Sequence, residues 1–366
     1  MKLTSDILHS VDADQAVEDL HCLGCTDGLP VIIPTASRVE RMILASGMDP
    51  DILLGEFGPN MGRATIEKIA VNAVMAGCIP DVFPVVVAAV KALCNPLLDI
   101  TEVQGTTHNL APLLIVNGPI RRDCRIACST GALGPGHRAN ATIGRAVRLC
   151  MINIGGGRPG ISDMALLGHP GKFTYCLAED EEASPFPPLH TSLGFLPEDS
   201  TVTVVCTEAP HSVIWFPHAG GPENLLNVCA KALSSMASNN AYFAEINGVS
   251  SQVLVLNPEH ASVLAAGGYG RREIQEILHH KAGNTSKNLT DTASGTTSDP
   301  DRFIRAVPTP ESLIVIVAGG HGVYSSVMPS WCFGKHGNIA FTEKIETGQS
   351  CEIPNIPADG RIFQDG

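Results

Sequence analysis

The stretch Leu313-Ile314-Val315-Ile316-Val317-Ala318-Gly319-Gly320-His321-Gly322 sets the architecture of the chain. Five apolar, largely β-branched residues run without polar alternation into a glycine-rich, histidine-bearing turn. A strand that is apolar on both faces has both faces covered, which is the situation of a central strand in an α/β protein. The same pattern recurs at Val31-Ile32-Ile33, Leu113-Leu114-Ile115-Val116, Val202-Thr203-Val204-Val205 and Val253-Leu254-Val255-Leu256. Between these runs the spacing predicts helices over 64–76, 82–93, 141–151, 223–235 and 271–280. Alternating strands and helices predict an α/β fold with a largely parallel or mixed sheet and helices on its faces.

The chain has 366 residues, enough for one large domain or two lobes. Two Gly-Pro segments suggest an internal duplication. Gly58-Pro59-Asn60-Met61-Gly62-Arg63-Ala64-Thr65-Ile66 resembles Gly134-Pro135-Gly136-His137-Arg138-Ala139-Asn140-Ala141-Thr142-Ile143, and each opens an apolar helix. The expectation is an N-terminal α/β lobe at 1–160 and a C-terminal one at 161–366, or one compact domain. The polar stretch 283–301 reads as a mobile surface loop.

Composition narrows the function classes. Hydrophobic residues are 44% of the chain and charged residues 17%, so a large core is available and a disordered chain is excluded. The formal net charge of -13 argues against nucleic acid or anionic membranes as partners. The tight basic cluster Arg121, Arg122 and Arg125 reads as a solvated loop. The N-terminus has no apolar run of signal-peptide length, and no run is long enough to span a membrane. A cytoplasmic protein with reduced thiols is expected from its 12 scattered cysteines.

Polar loops recur at the carboxyl ends of the expected strands: Asn117-Gly118-Pro119, Glu208-Ala209-Pro210-His211, Asn257-Pro258-Glu259-His260 and the turn at His321. In open α/β sheets that edge binds ligands, so an enzyme is favoured. Glycine loops entering helices present free N–H groups, and Arg63, Arg138 and Arg145, with Thr65, Asn140 and Thr142 beside them, suit a carboxylate or phosphate. Gln104-Gly105-Thr106-Thr107-His108-Asn109 supplies Thr106 and Thr107 for hydrogen bonding and His108 as a base. Gly168-His169-Pro170-Gly171-Lys172 adds Lys172. Glu179, at the end of an apolar run from Phe173 to Ala178, reads as the inward-pointing acid of Glu179-Asp180-Glu181-Glu182, with His190 nearby. No Walker loop, dinucleotide fingerprint, serine-hydrolase elbow or zinc spacing occurs, so no nucleotide cofactor is indicated.

These residues carry one resemblance. Asp27-Gly28-Leu29-Pro30-Val31, Ala141-Thr142-Ile143-Gly144-Arg145-Ala146, the segment from Glu179 to His190, and Asn257-Pro258-Glu259-His260-Ala261 resemble a poorly characterised family of microbial proteins of similar length. Some of its members are associated with UGSC-type (seleno)proteins. The resemblance runs from about residue 27 to residue 329 and implies thiol or selenol chemistry. The chain departs from it in lacking a Cys-Gly-Ser-Cys tetrad.

The expected function is a small-molecule enzyme of lyase, isomerase or hydrolase type acting on a small anionic, carboxylate-bearing metabolite. His108, Glu179, His190, His260 and His321 form the acid/base pool. Arg63, Thr65, Thr106, Thr107, Asn117, Arg138, Asn140, Thr142, Arg145 and Lys172 form the binding set. A divalent metal on two or three of the acid/base groups is a variant of this reading. Two alternatives stand beside it: a thiol-dependent redox enzyme using Cys22 and Cys25, or Cys332, and a non-catalytic binding or scaffold protein. A homodimer is the expected assembly.

Overall fold

The computed structural model describes residues 2–236, 238–248, 250–289 and 299–346. Two four-stranded mixed sheets are built from β1 Ala111–Asn117, β2 Cys176–Ala178, β3 Thr201–Thr207, β4 His211–Ile214, β5 Gln252–Leu256, β6 Leu313–Val317, β7 Tyr324–Met328 and β8 Phe341–Lys344. The first sheet has the order β8-β3-β1-β2 and the second β6-β5-β7-β4. Four of the five expected strands are therefore present. The fifth, Val31-Ile32-Ile33, is not a strand. Its Ile32 N–H donates to the Met75 carbonyl at 3.1 Å, beside a helix and away from either sheet.

The apolar runs are strands because both their faces are buried. Leu113 and Ile115 of β1 and Val253 and Val255 of β5 pack into a core between the two sheets. Leu114 and Val116 face the opposite way, into a core beneath α1 Ile66–Ala76, α2 Phe83–Leu93 and α3 Arg138–Asn153. Leu254 and Leu256 pack under α4 Pro222–Leu233, α5 Pro258–Ala266 and α6 Arg271–Lys281. The result is a four-layer sandwich of helices, sheet, sheet and helices. The helix α2 is apolar except at Lys91, the one position of it that is not buried. No single helix among the described residues is long and apolar enough to cross a membrane.

The two sheets repeat one topology. In each, the first strand of the unit pairs parallel with the second (β1 with β2, β5 with β6) and antiparallel with the third (β3, β7). The fourth strand crosses to the other unit: β4 pairs with β7, and β8 with β3. The registers agree residue for residue. Leu114 faces Val204, which faces Phe341; Leu254 faces Val327, which faces His211. Under this equivalence Asn117 corresponds to Asn257 and Thr207 to Ser330. An isolated antiparallel bridge joins Thr207 to Ser330, the contact an approximate twofold relation would place on its axis.

This repeat differs from the one suggested by the Gly-Pro segments. The first of these forms the antiparallel hairpin Leu53–Phe57 with Gly62–Thr65, and the second is a loop entering α3. Their helices, α1 and α3, pack on each other. Strands on both sides of residue 160 share the first sheet. The stretch expected to be a mobile loop begins as a strand: Gly283–Thr285 pairs with Phe303–Arg305. A short helix, Ser286–Leu289, follows, and residues 290–298 of that expectation lie outside the described residues.

Candidate functional site

The sheet topology separates the polar strand ends. Asn117 and Glu179 end the parallel strands β1 and β2, so they meet. Glu179 is fully buried. Its carboxylate accepts from Asn117 Nδ2 at 2.6 Å, the Leu189 N–H at 2.7 Å and Arg271 Nη2 at 2.7 Å. Burial pushes its carboxyl upward, against the pull of Arg271, the Leu189 N–H and Asn117. Arg271 also donates to the carbonyls of Val315 and Pro187. Glu179 and Arg271 thus fasten one repeat to the other. Arg121, expected in a solvated loop, is buried and bound to Glu181 and Glu182, because the acidic turn folds over it. His190 is fully buried beside this network, its Nδ1 3.9 Å from Glu181 Oε1 and both ring nitrogens without a hydrogen-bond partner among the described residues.

The other acid/base candidates lie apart from that cluster. Because β3 is antiparallel to β1, its carboxyl end carries Glu208 to the opposite edge. There Glu208 Oε1 lies 2.7 Å from His108 Nε2, and Asn239 Nδ2 lies 3.0 Å from His108 Nδ1. His260 is buried in the second repeat, within 2.7 Å of Ser325 Oγ and edge-on to Trp215. Burial pushes its imidazole down. His321 is exposed, 3.7 Å from Glu259. The five groups do not form one centre.

Most of the expected binding set does local work. Thr65 caps α1 by accepting the Lys68 N–H, and Thr142 donates to the Arg138 carbonyl. Asn140 is buried and laces together Ala127, Ala132 and Cys176. Arg63 is exposed, 3.9 Å from Glu56, and Arg138 donates to the Gly77 carbonyl. Arg145 grips Asp27 through two bonds of 2.8 Å. Thr106 accepts the His108 N–H, and the exposed Thr107 gives its carbonyl to Leu166.

Lys172 is the exception. It lines a cleft of about 970 Å³ at the amino end of β1 and β2. The wall is built by the glycine loop after α3 and by the loop entering β2. Three cations, Arg148, Arg158 and Lys172, and two carboxylates, Asp27 and Asp163, line it. Asp27 is already held by Arg145. Asp163, with 7% of its side chain exposed, lies between Lys172 Nζ at 2.8 Å and Arg148 Nη1 at 3.5 Å. Arg148 is itself only 7% exposed, yet among the described residues it makes no hydrogen bond, only that ion pair. Lys172 uses two of its three donors, on Asp163 and on the Leu110 carbonyl. Burial, and next to it Arg148, pushes its ammonium down. His169 adds no charge: burial pushes it down to about 4, and its Nδ1 accepts the Gly171 N–H. Gly157 admits the neighbouring chain, since a Cβ there would sit 1.7 Å from Gln104 Oε1.

Arg148, Asp163 and Arg158 were not among the sequence candidates. One signal was available for Arg148, which stands between the apolar Val147 and Leu149 in the buried second half of its helix. No group of three or more His, Cys, Asp or Glu able to hold a metal occurs among the described residues.

The fold and cleft define a mixed α/β protein of two strand-exchanged repeats with a cation-rich cleft. No protein-family model matches the chain, and no curated protein matches it.

Proposed function

We propose that the chain is an enzyme acting on a small anionic, carboxylate-bearing metabolite bound in this cleft. The observation that carries the reading is Arg148, a buried guanidinium that makes no hydrogen bond among the described residues, on the wall of an open cleft, sharing one carboxylate with Lys172. A buried cation in that state is stabilised by an anionic ligand, and a planar fork suits a carboxylate. Lys172 is the candidate acid/base group: burial and the neighbouring Arg148 weaken its hold on the proton, while Asp163 opposes them. Lyase or isomerase chemistry fits this set, since one group moves one proton. The thiol route draws no support from Cys332, which is buried and pushed up to about 12.

The test has two parts. Small carboxylates should raise the melting temperature of the wild type, as any ligand of the folded state does, and fail to do so for Lys172→Met. Incubating the protein in deuterium oxide with a panel of such carboxylates, followed by NMR, should show exchange or turnover at a carbon next to the carboxylate or its carbonyl. Binding without exchange would leave a binding protein. No stabilisation by any anion would remove the reading altogether.

A further inference from the structure

The cleft is larger than a short carboxylate fills, and its mouth is apolar. Ile161, Leu166 and Leu167 are 77%, 83% and 88% exposed, and Met164 and Phe173 are also exposed. A lone exposed leucine needs no explanation, but a row of large apolar side chains beside a cleft does. The row is not slack chain. The Met164 N–H donates to the Gln104 carbonyl at 3.1 Å and the Leu166 N–H to the Thr107 carbonyl at 3.0 Å. The N–H groups of Leu167 and Gly168 share Asn109 Oδ1 at 3.0 and 2.8 Å. The backbone is thus pinned, and the apolar side chains are held out in water. Leu167 and Phe173 line the same cleft as Arg148 and Lys172.

We infer that the ligand is amphipathic, an anionic head on Arg148 and Lys172 with an apolar chain leaving over Leu167 and Phe173. The inference rests on the anion-binding reading of the cleft and adds the class of ligand. A second copy of the chain could cover the apolar row, but a protein surface laid across the mouth would not reach Arg148, which is 7% exposed. A small amphipathic anion meets the buried cation and the apolar rim together.

The test is calorimetric titration of the full chain with acetate, butanoate, hexanoate and octanoate. Burial of a methylene against an apolar wall predicts affinity rising up to about fourfold per added carbon. The Leu166→Ser/Leu167→Ser variant should reduce that factor to below about two. Octanol in place of octanoate should bind at least about tenfold more weakly, for want of the charge-assisted bonds. Equal affinity along the series would overturn the apolar chain while leaving the anion site standing. Failure of every carboxylate to bind the wild type would remove both. Sedimentation velocity closes the remaining route: if the serine variant changes the mass of the wild-type particle, the row is a contact between copies and the proposal is wrong.

Discussion

Lys172 donates a 2.8 Å hydrogen bond to Asp163, a carboxylate that Arg148 also shares from 3.5 Å. Two cations therefore lean on one anion at the wall of the cleft. Removing that anion strands both, whereas removing Lys172 leaves Arg148 its partner. Breaking a buried pair costs about 3–5 kcal/mol when it leaves a charge uncompensated. Asp163→Asn should accordingly destabilise the fold by that order, and Lys172→Met by clearly less, as read from urea midpoints. Added carboxylate should restore part of the Asp163→Asn loss. Equal losses in the two variants would show that Asp163 does not balance both cations.

The pair Glu179 and Arg271 is the internal counterpart, fastening one repeat to the other. Arg271→Met leaves a fully buried carboxylate short of its cation, and a loss of about 3–5 kcal/mol is expected. Glu179→Gln combined with Arg271→Met should recover part of that loss, because neither charge then stands alone. A double-mutant cycle measures the coupling. Additive losses would mean that the ion pair is incidental to the join between the repeats.

His169 gives the chain a pH signature. Its folded value is depressed to about 4 from 6.5. Above 6.5 it is neutral in both states and contributes no slope. As the pH falls below that, the unfolded chain takes up a proton that the folded chain refuses, so stability is lost between about 6.5 and 4. His169→Gln should flatten this limb of a plot of urea midpoint against pH. An unchanged limb would place the titration elsewhere.

The exchanged strands predict cooperativity. Because β4 completes the second sheet and β8 the first, neither repeat can unfold and leave the other sheet whole. A single calorimetric transition is expected, with equal van't Hoff and calorimetric enthalpies. Two separable transitions would show the repeats to be independent units.

Much of this fold was legible in the sequence, for a physical reason. The runs 113–116, 202–205, 253–256 and 313–317 are buried on both faces, so they lack alternation and stand out. Val31-Ile32-Ile33 has the same composition but no partner strand, and a sheet is made by pairing. The strands β4 and β8 escape notice because each is short and partly exposed, and each pairs with a distant repeat. The site was less legible. Placing histidines at strand ends gathers them only if all strands run one way, and the antiparallel β3 sends Glu208 to the far edge. Lys172 was visible in its Gly-His-Pro-Gly-Lys turn. Arg148 was hidden among the arginines of its helix, although a charge on a buried face is itself a signal of a partner or a ligand.

Whether Arg148 and Lys172 together hold a carboxylate is decided by a crystal structure of the protein grown with saturating octanoate. A carboxylate oxygen is expected within hydrogen-bonding distance of both the Arg148 guanidinium and Lys172 Nζ, with Asp163 still on Lys172. Octanoate bound elsewhere, with Arg148 still paired to Asp163 alone, would contradict it.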